Sequence, residues 1–250
     1  MKIPVLYQIE RFFHRFRFRK KHVTVDHFAK LCENNTINIR EQDLKNISLS
    51  INGRGNTINI KSVKFGGGAR ISIFVTGDNN TINIDENLFV GHNLIITIGR
   101  ASGNFIPVEN VSVNIGSDTG IGTATLVTYN SNTHINIGRR CMLAFDVMIY
   151  NTDAHPIYDI DSGDIINRVY GVDIGDHVWL AGHSSVLKNT IIPNGCIVGW
   201  HCVATGRYTE ENCAIAGNPG RVVRKNIRWD SDGKTGYCQN VITKEQGALS

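Results

Sequence analysis

A histidine close to an aspartate is the most chemically suggestive pair in the sequence. His155 lies within residues 151–171, and Asp153 precedes it by two positions. Imidazole changes charge near neutral pH, so it suits a general base that removes a proton from a hydroxyl group. A carboxylate this close could orient the ring. The alternative interpretations are a histidine on a surface loop and an aspartate that forms a turn with its own backbone.

Short strands, which must position His155 and Asp153, repeat along the chain. The tetrapeptide Thr-Ile-Asn-Ile occurs at Thr36–Ile39, Thr57–Ile60 and Thr81–Ile84, with a near copy at His134–Ile137. Asn or Gly-Asn precedes several copies. Periods of about 20–50 residues are typical of solenoids, whose units stack on one another. Short β-branched strands that meet at Asn or Gly corners indicate the coils of a parallel β-helix.

From residue 174 onward the repeat becomes a strict period of six. The apolar anchors are Ile174, Leu180, Val186, Ile192, Val198 and Ala204. The residue four positions after each anchor is mostly small. Six residues per face and three faces per coil, about 18 in all, predict a triangular prism with the aliphatic side chains inside. The pattern breaks at residues 151–171, and a long loop on a rigid scaffold is where function is usually placed.

Composition supports a β-rich protein. Ile and Val together number 52 and Leu only 11, and the chain is 41% hydrophobic, too apolar for disorder. No segment has the length of a membrane span, and no export signal is evident. The six cysteines are therefore expected to be free thiols in a reducing compartment.

The net charge of +4 is concentrated at one end. Residues 1–22 hold seven Lys or Arg side chains against one Glu, so the remainder is slightly acidic and a nucleic-acid partner is not expected. Ile9, Phe12, Phe13 and Phe16 follow helical spacing in this basic stretch. It is interpreted as a helix that caps the solenoid or contacts an anionic membrane surface, and these two roles are compatible.

Three motifs between residues 135 and 229 resemble one enzyme family. They are Asn-Thr-Asp-Ala-His-Pro-Ile at 151–157, Ile-Gly-Asp-His-Val-Trp-Leu at 174–180 and Ala-Gly-Asn-Pro-Gly-Arg-Val-Val-Arg at 216–224. They are similar to those of the hexapeptide-repeat acetyltransferases, in the galactoside, maltose and nodulation-factor group, and most of all to the enzymes that O-acetylate capsular polysaccharides. The resemblance implies a left-handed parallel β-helix, a homotrimer, and acetyl-CoA as a co-substrate that is not tightly bound.

The resemblance also implies roles for individual residues. His155 matches the general base, and Trp179, at a position that points out of the prism, matches a tryptophan of the active-site cleft. The positions that match the acetyl-CoA groove are Gly182, Thr205, Gly206, Pro219, Arg221 and Arg224. The basic residues Arg207, Arg221, Arg224 and Lys225 could hold its phosphates, or they could form a solvated basic end of the protein. The sequence departs from the family at residues 199–202, where Trp200 and His201 are bulkier than the usual residues, although Trp200 could stack on the ligand.

Other residues that could bind a metal have a simpler interpretation. His183 and His201 are eighteen positions apart, so adjacent coils would stack them about 4.8 Å apart as an outward ladder. With His177 a zinc site is conceivable, as in the related carbonic anhydrases, but the spacing fits poorly and no metal is expected. Cys196 and Cys202 fall at the small inward corner and are expected in the core.

These observations predict an all-β protein with three segments: a cap over residues 1–30, a β-helix over 31–220 that carries the loop 151–171, and a C-terminal segment over 221–250 with an irregular tail. The favoured function is O-acetylation of a sugar hydroxyl, in a bacterial surface polysaccharide, by a cytoplasmic enzyme that could touch the inner face of the membrane. The alternatives are an antibiotic, serine or amino-sugar acceptor, and a non-catalytic solenoid that binds a partner.

Overall fold

The computed structural model describes residues 34–100 and 106–230, which coil into a three-sided solenoid of parallel strands. The predicted amphipathic helix within residues 1–30 and the tail after residue 230 lie outside the described residues. The boundaries predicted at residues 30 and 220 stay predictions. The strands of the solenoid run from Thr36 to Ala216.

The first face is a seven-stranded parallel sheet that contains every Thr-Ile-Asn-Ile segment. Its strands, in spatial order, are β1 (Thr36–Ile39), β3 (Thr57–Ile60), β6 (Thr81–Ile84), β8 (Ser112–Ile115), β10 (His134–Ile137), β13 (Gly171–Ile174) and β16 (Ile191–Ile192). Identical residues lie beside one another, as in the pairing of Thr57 with Thr81. The repeat seen in the sequence is therefore the register of this sheet.

The other two faces are joined into one sheet because two long strands bend across both of them. These are β7 (Leu88–Ile98) and β9 (Gly120–Thr128). The second face adds β4 (Val63–Phe65), β11 (Met142–Leu143), β14 (Trp179–Leu180), β17 (Ile197–Val198) and β19 (Ala214–Ala216). The third face adds β2 (Ile47–Asn52), β5 (Arg70–Thr76), β12 (Val147–Asn151), β15 (Ser185–Leu187) and β18 (Val203–Ala204).

Two elements depart from this plan at the ends of the solenoid. A 3-10 helix (Glu41–Asn46) lies between β1 and β2, where later coils have their second-face strand. At the other end, β20 (Arg221–Arg224) pairs antiparallel with β19.

The six-residue period is confirmed as the spacing of the core. Each anchor from Ile174 to Ala204 is at most 3% exposed, and Val178, Ser184, Thr190, Cys196 and Cys202 are fully buried beside them. The anchors pack above and below one another along the solenoid axis. The interior is thus a column of aliphatic side chains with small residues at its corners.

The corners explain the abundance of asparagine, histidine and glycine. A residue with positive φ recurs every six positions at His177, His183, Asn189, Gly195 and His201. A left-handed backbone is least unfavourable for glycine and for short polar side chains such as Asn and Asp. Three residues of each hexapeptide therefore have a fixed purpose: one fills the core, one fills a corner and one turns the chain.

Asparagine also links successive coils through side-chain amides. On the first face, Asn38 donates to Asn59 at 2.7 Å, and the series continues coil by coil to Asn136, which donates to Asp173 at 2.9 Å. A second series is buried at the corner before these strands, where Asn80 donates to Asn56 Oδ1 at 3.0 Å. Hydrogen-bonded amide chains satisfy polar groups that stacking removes from water.

Glycine at the corner after the first face permits the coils to stack. Gly116, Gly138 and Gly175 follow the last residue of β8, β10 and β13. A Cβ added to Gly138 would lie 2.4 Å from the carbonyl oxygen of Gly175 in the next coil. The backbone of the neighbouring coil fills that space, so a side chain there would push two coils apart.

We expect Gly138→Ala to lower the free energy of unfolding by about 1–3 kcal/mol, because the methyl group overpacks a backbone contact. Urea denaturation followed by circular dichroism measures the change. Gly67→Ala is the matched control, since a Cβ at Gly67 has no atom within 4 Å and its φ is not positive. Equal stability of the two variants would contradict this account of the corner.

Candidate functional site

The loop that carries His155 leaves the prism at one edge. Residues 152–170 connect β12 on the third face to β13 on the first face. Within the loop, Tyr158 and Ile165 form an antiparallel bridge, and Asp159 Oδ1 accepts hydrogen bonds from the backbone N–H groups of Asp161 and Ser162. The hydrogen bonds from Ser162 are the main reason that the pKa of Asp159 is lowered. The loop is thus an ordered hairpin with a capped turn.

His155 is presented at the base of this hairpin by a left-handed turn. Ala154 has a φ of 60°, and its N–H donates to Thr152 Oγ1 at 2.9 Å. His155 is exposed, and its imidazole has no hydrogen-bond or ion-pair partner within the described part of the chain. It lines a cavity of about 400 Å³ together with Tyr129, Asn130 and Arg168. A ligand in this cavity could therefore reach the His155 ring.

Asp153 does not contact the His155 ring. Its Oδ2 accepts a 2.7 Å hydrogen bond from Asn167 Nδ2 and lies 3.1 Å from Lys188 Nζ. The carboxylate is drawn toward the body of the prism because Lys188 follows β15, the strand that pairs with β12. A direct orienting contact is therefore not present in this structure, and Asn167 links the Asp153 carboxylate to the His155 backbone.

Asn167, which the sequence does not predict as a site residue, holds the segment around His155. Its Nδ2 donates to the backbone carbonyl of His155 at 2.9 Å as well as to Asp153, and its Oδ1 accepts from the N–H of Ile157 at 2.8 Å. These contacts join the far strand of the hairpin to the segment around His155. No sequence signal marks the residue, because it lies twelve positions from His155 in a loop without a repeat.

Trp179 points out of the prism, as predicted, but it lies on the second face, away from the edge that carries His155. It pairs in register with Met142 and Ile197. The indole is half-buried because Trp229 packs on it with ring centroids 5.9 Å apart. Its Nε1 is buried without a hydrogen-bond partner among the described residues. One copy of the chain does not bring Trp179 and His155 together.

The residues predicted to bind acetyl-CoA fall in three places. Gly182 lies at the edge between the second and third faces, where the Trp200 ring occupies the space that a Cβ would take. Thr205, Gly206 and Arg207 are exposed two coils beyond the His155 loop on its own edge, since β18 pairs with β15 and β15 with β12.

The closing segment forms the third place. Pro219, Arg221 and Arg224 are exposed, with Pro219 following a cis peptide bond, and Lys225 pairs with Glu210. The structure therefore places Arg207, Arg221 and Arg224 where solvent or a ligand can reach them. Within one chain, these three arginines do not lie together around His155.

The predicted histidine ladder is confirmed. The rings of His183 and His201 are stacked with centroids 4.9 Å apart and 10° between their planes. His177 instead stacks on Trp229 at 4.1 Å, and its Nε2 lies 3.0 Å from the Trp229 carbonyl oxygen. In residues 34–100 and 106–230, no group of three or more His, Cys, Asp or Glu side chains is placed to hold a metal ion.

The four cysteines of the described residues are buried free thiols, and the prediction of Cys196 and Cys202 in the core is confirmed. Burial raises the pKa of the Cys141 thiol to about 11. Burial is also the main cause that raises the pKa of Cys213 to about 12. These groups are unsuited to nucleophilic catalysis, since the thiolate is the reactive form.

The part of the chain that the structure describes has no helix with the length and apolarity needed to cross a membrane.

Comparison with known proteins shows the class of protein to which this β-helix with a histidine loop at one edge belongs. No family model matches the sequence. The polysialic acid O-acetyltransferase of Neisseria meningitidis is 36% identical over 195 residues, which cover 71% of this chain and 86% of that protein. The polysialic acid O-acetyltransferase of Escherichia coli O1:K1 is 30% identical over 130 residues, 52% of this chain but only 42% of that longer relative.

A solved structure agrees with these relatives. The polysialic acid O-acetyltransferase OatWY superposes with a TM-score of 0.57 at 32% identity, covering 84% of this chain and 95% of that one. The chain belongs to the hexapeptide-repeat family of polysaccharide O-acetyltransferases and is an acyltransferase. The predicted left-handed parallel β-helix is thereby confirmed, and a non-catalytic solenoid is set aside.

We expect Asn167→Ala to loosen the His155 segment without unfolding the prism. The amide of Ile157 loses its acceptor, so its hydrogen exchange is expected to accelerate at least about fivefold. Exchange measured by mass spectrometry over residues 152–170 tests this. Asn194→Ala is the control, because Asn194 makes similar bonds to Asp176 N and Glu211 at a different edge. Equal exchange in the loop of both variants would show that Asn167 does not hold it.

Proposed function

We propose that the protein transfers an acetyl group from acetyl-CoA to a sugar hydroxyl in a cell-surface polysaccharide. The observation that carries this proposal is the free imidazole of His155, held on an ordered hairpin at the mouth of a cavity. The relatives named as polysialic acid O-acetyltransferases support a polysaccharide acceptor.

The chemistry needs one base and one site for the negative charge that develops. His155 removes the hydroxyl proton while the oxygen attacks the thioester carbon. The tetrahedral intermediate then expels the CoA thiolate, which takes the proton from the imidazolium, so no acyl-enzyme is formed. The backbone N–H of Gly182 is the proposed donor to the oxyanion.

A homotrimer supplies the parts that one chain keeps apart. His155 lies at the edge between the third and first faces, whereas Gly182 and Trp179 lie at other positions around the prism. The loop exposes Ile157, Tyr158, Ile160 and Ile166 in the single chain, and Ile160 is 98% exposed. An apolar patch of this kind favours contact with another subunit. In the proposed trimer, the loop of one copy faces the second face of its neighbour.

The acyl donor lies in the groove between two copies in this arrangement. Arg207, Arg221 and Arg224 are the proposed partners of the CoA phosphates, because they are exposed and have no ion pair within the described residues. Lys225 is a weaker candidate since Glu210 already neutralises it. The enzyme is proposed to act in the cytoplasm, where residues 1–22, which lie outside the described residues, would contact the membrane surface.

We expect His155→Ala to lower kcat for acetyl transfer by about a hundredfold or more, because the base is lost while the groove remains. Release of free CoA from acetyl-CoA in the presence of oligosialic acid measures the rate, and mass spectrometry detects the acetylated product.

His92→Ala is the matched control for this change. His92 is an exposed histidine at the edge between the second and third faces, and it lines neither the His155 cavity nor the proposed phosphate site. The His92→Ala enzyme is expected to transfer acetyl at the same rate as the unmodified enzyme. Undiminished transfer by the His155→Ala enzyme would overturn the assignment of the base.

A further inference from the structure

A second cavity adjoins the His155 cavity on the third face of the prism. It has a volume of about 430 Å³. The two cavities share Tyr129 and Ala154 in their walls, so they meet directly beside His155. The second cavity extends from there toward the N-terminal coils, reaching Ser50 and Asn52 of β2.

The floor of this groove is a row of residues aligned by the strand register. Ser50 pairs with Phe74, Phe74 with Thr97, Thr97 with Val127, and Val127 with Tyr150. Five adjacent strands span about 19 Å along the solenoid axis. The row therefore forms a straight track that ends at the loop carrying His155.

Aromatic rings and hydroxyl groups line the track. Phe74 is 45% exposed, and Tyr129 and Tyr150 are in edge-to-face contact with centroids 6.4 Å apart. Ser50, Thr76 and Thr97 contribute hydroxyl groups to the walls. Aromatic faces beside hydroxyl groups suit a sugar chain, which presents apolar C–H faces and hydroxyl groups together.

The groove has an excess of positive charge. Arg100 lines it, no Asp or Glu among the described residues does so, and the Arg100 guanidinium makes no ion pair within residues 34–100 and 106–230. Arg168 lines the adjoining cavity, where Asp153, the one carboxylate that the described residues place there, is already paired with Lys188. Burial raises the pKa of Tyr150, and the nearby Arg100 acts in the opposite direction. One arginine thus lines each of the two adjoining cavities.

We propose that this groove binds the sugar units that neighbour the reacting one, with Arg100 holding a carboxylate of an acidic acceptor chain. The inference rests on the proposed function, since it places the acceptor relative to the base. The polysaccharide then runs along the solenoid axis over Phe74 and Tyr150, and one hydroxyl group reaches His155. Arginine suits this role because its planar guanidinium can bind a carboxylate through two hydrogen bonds.

The direct test is binding to the full chain carrying His155→Ala, which removes turnover. The probes are a hexamer of sialic acid, a hexamer of galacturonic acid, and the methyl ester of the latter as a neutral ligand of equal length. We expect calorimetry to show binding of at least one acidic hexamer and weaker binding of the ester. Adding Arg100→Gln is expected to raise the Kd of the acidic hexamer about tenfold.

The control is Arg70→Gln, the same substitution on the same strand as Phe74. Arg70 is exposed but lies four residues, about 13 Å, from Phe74 along β5 and lines neither cavity. The Kd of the acidic hexamer for the Arg70→Gln variant is expected to be unchanged. Circular dichroism verifies that each variant is folded, and Phe74→Ser provides a second, uncharged test in which the Kd rises for acidic and neutral hexamers alike.

Kinetics separates failure of this inference from failure of the proposed function. In the otherwise unmodified enzyme, Arg100→Gln is expected to raise KM for the acidic acceptor about tenfold and to leave KM for acetyl-CoA unchanged. If the Arg100→Gln, Arg70→Gln and unmodified enzymes all transfer acetyl with the same acceptor KM, the proposed binding of the acceptor in the groove is wrong. The proposed function is retained in that case. Absence of transfer by the unmodified enzyme to every glycan tested would instead overturn the proposed function.

Discussion

Stacking of one coil directly on the next, at the spacing of parallel strands, is the constraint on which the rest of this structure depends. Backbone hydrogen bonds hold adjacent coils about 4.8 Å apart, so the chain must turn at each corner without pressing a side chain into the backbone of the next coil. Gly138 and Gly175 meet this requirement by omitting Cβ. His177 and His183 meet it by adopting positive φ, which turns the chain sharply. The same spacing sets the 4.9 Å separation of the stacked histidines.

The regular coils support an irregular loop that carries His155. The loop between β12 and β13 is the longest departure in the C-terminal half, and its own hydrogen bonds order it. Lys188, on the following coil, draws Asp153 away from His155 and ties the loop base to the prism. Among the described residues the imidazole has no hydrogen-bond or ion-pair partner, as the proposed role of general base requires.

The flat third face of the prism extends the proposed acceptor site well beyond the loop that carries His155. Register places Ser50, Phe74, Thr97 and Tyr150 in one line, although they come from four separate coils. A polymeric acceptor matches such a surface because both have a linear repeat. The second face, with Trp179 under Trp229, is remote from His155 in one copy of the chain. The proposed trimer resolves this separation, because a neighbouring copy can present that face to the loop.

The amino-acid sequence predicts the prism, its six-residue anchors, the break at residues 151–171 and the stacked pair His183 and His201. These follow from local periodicity, which a regular solenoid converts directly into position. Only the folded chain shows that Asp153 pairs with Lys188, that Asn167 holds the His155 segment, and that Arg100 borders a groove. The reason is that coil lengths before residue 171 vary, with 21, 24, 31 and 22 residues between successive first-face asparagines. Because the coils differ in length, the sequence does not predict which outward side chains lie in the same row. The loop has no repeat, so its contacts cannot be predicted from a period.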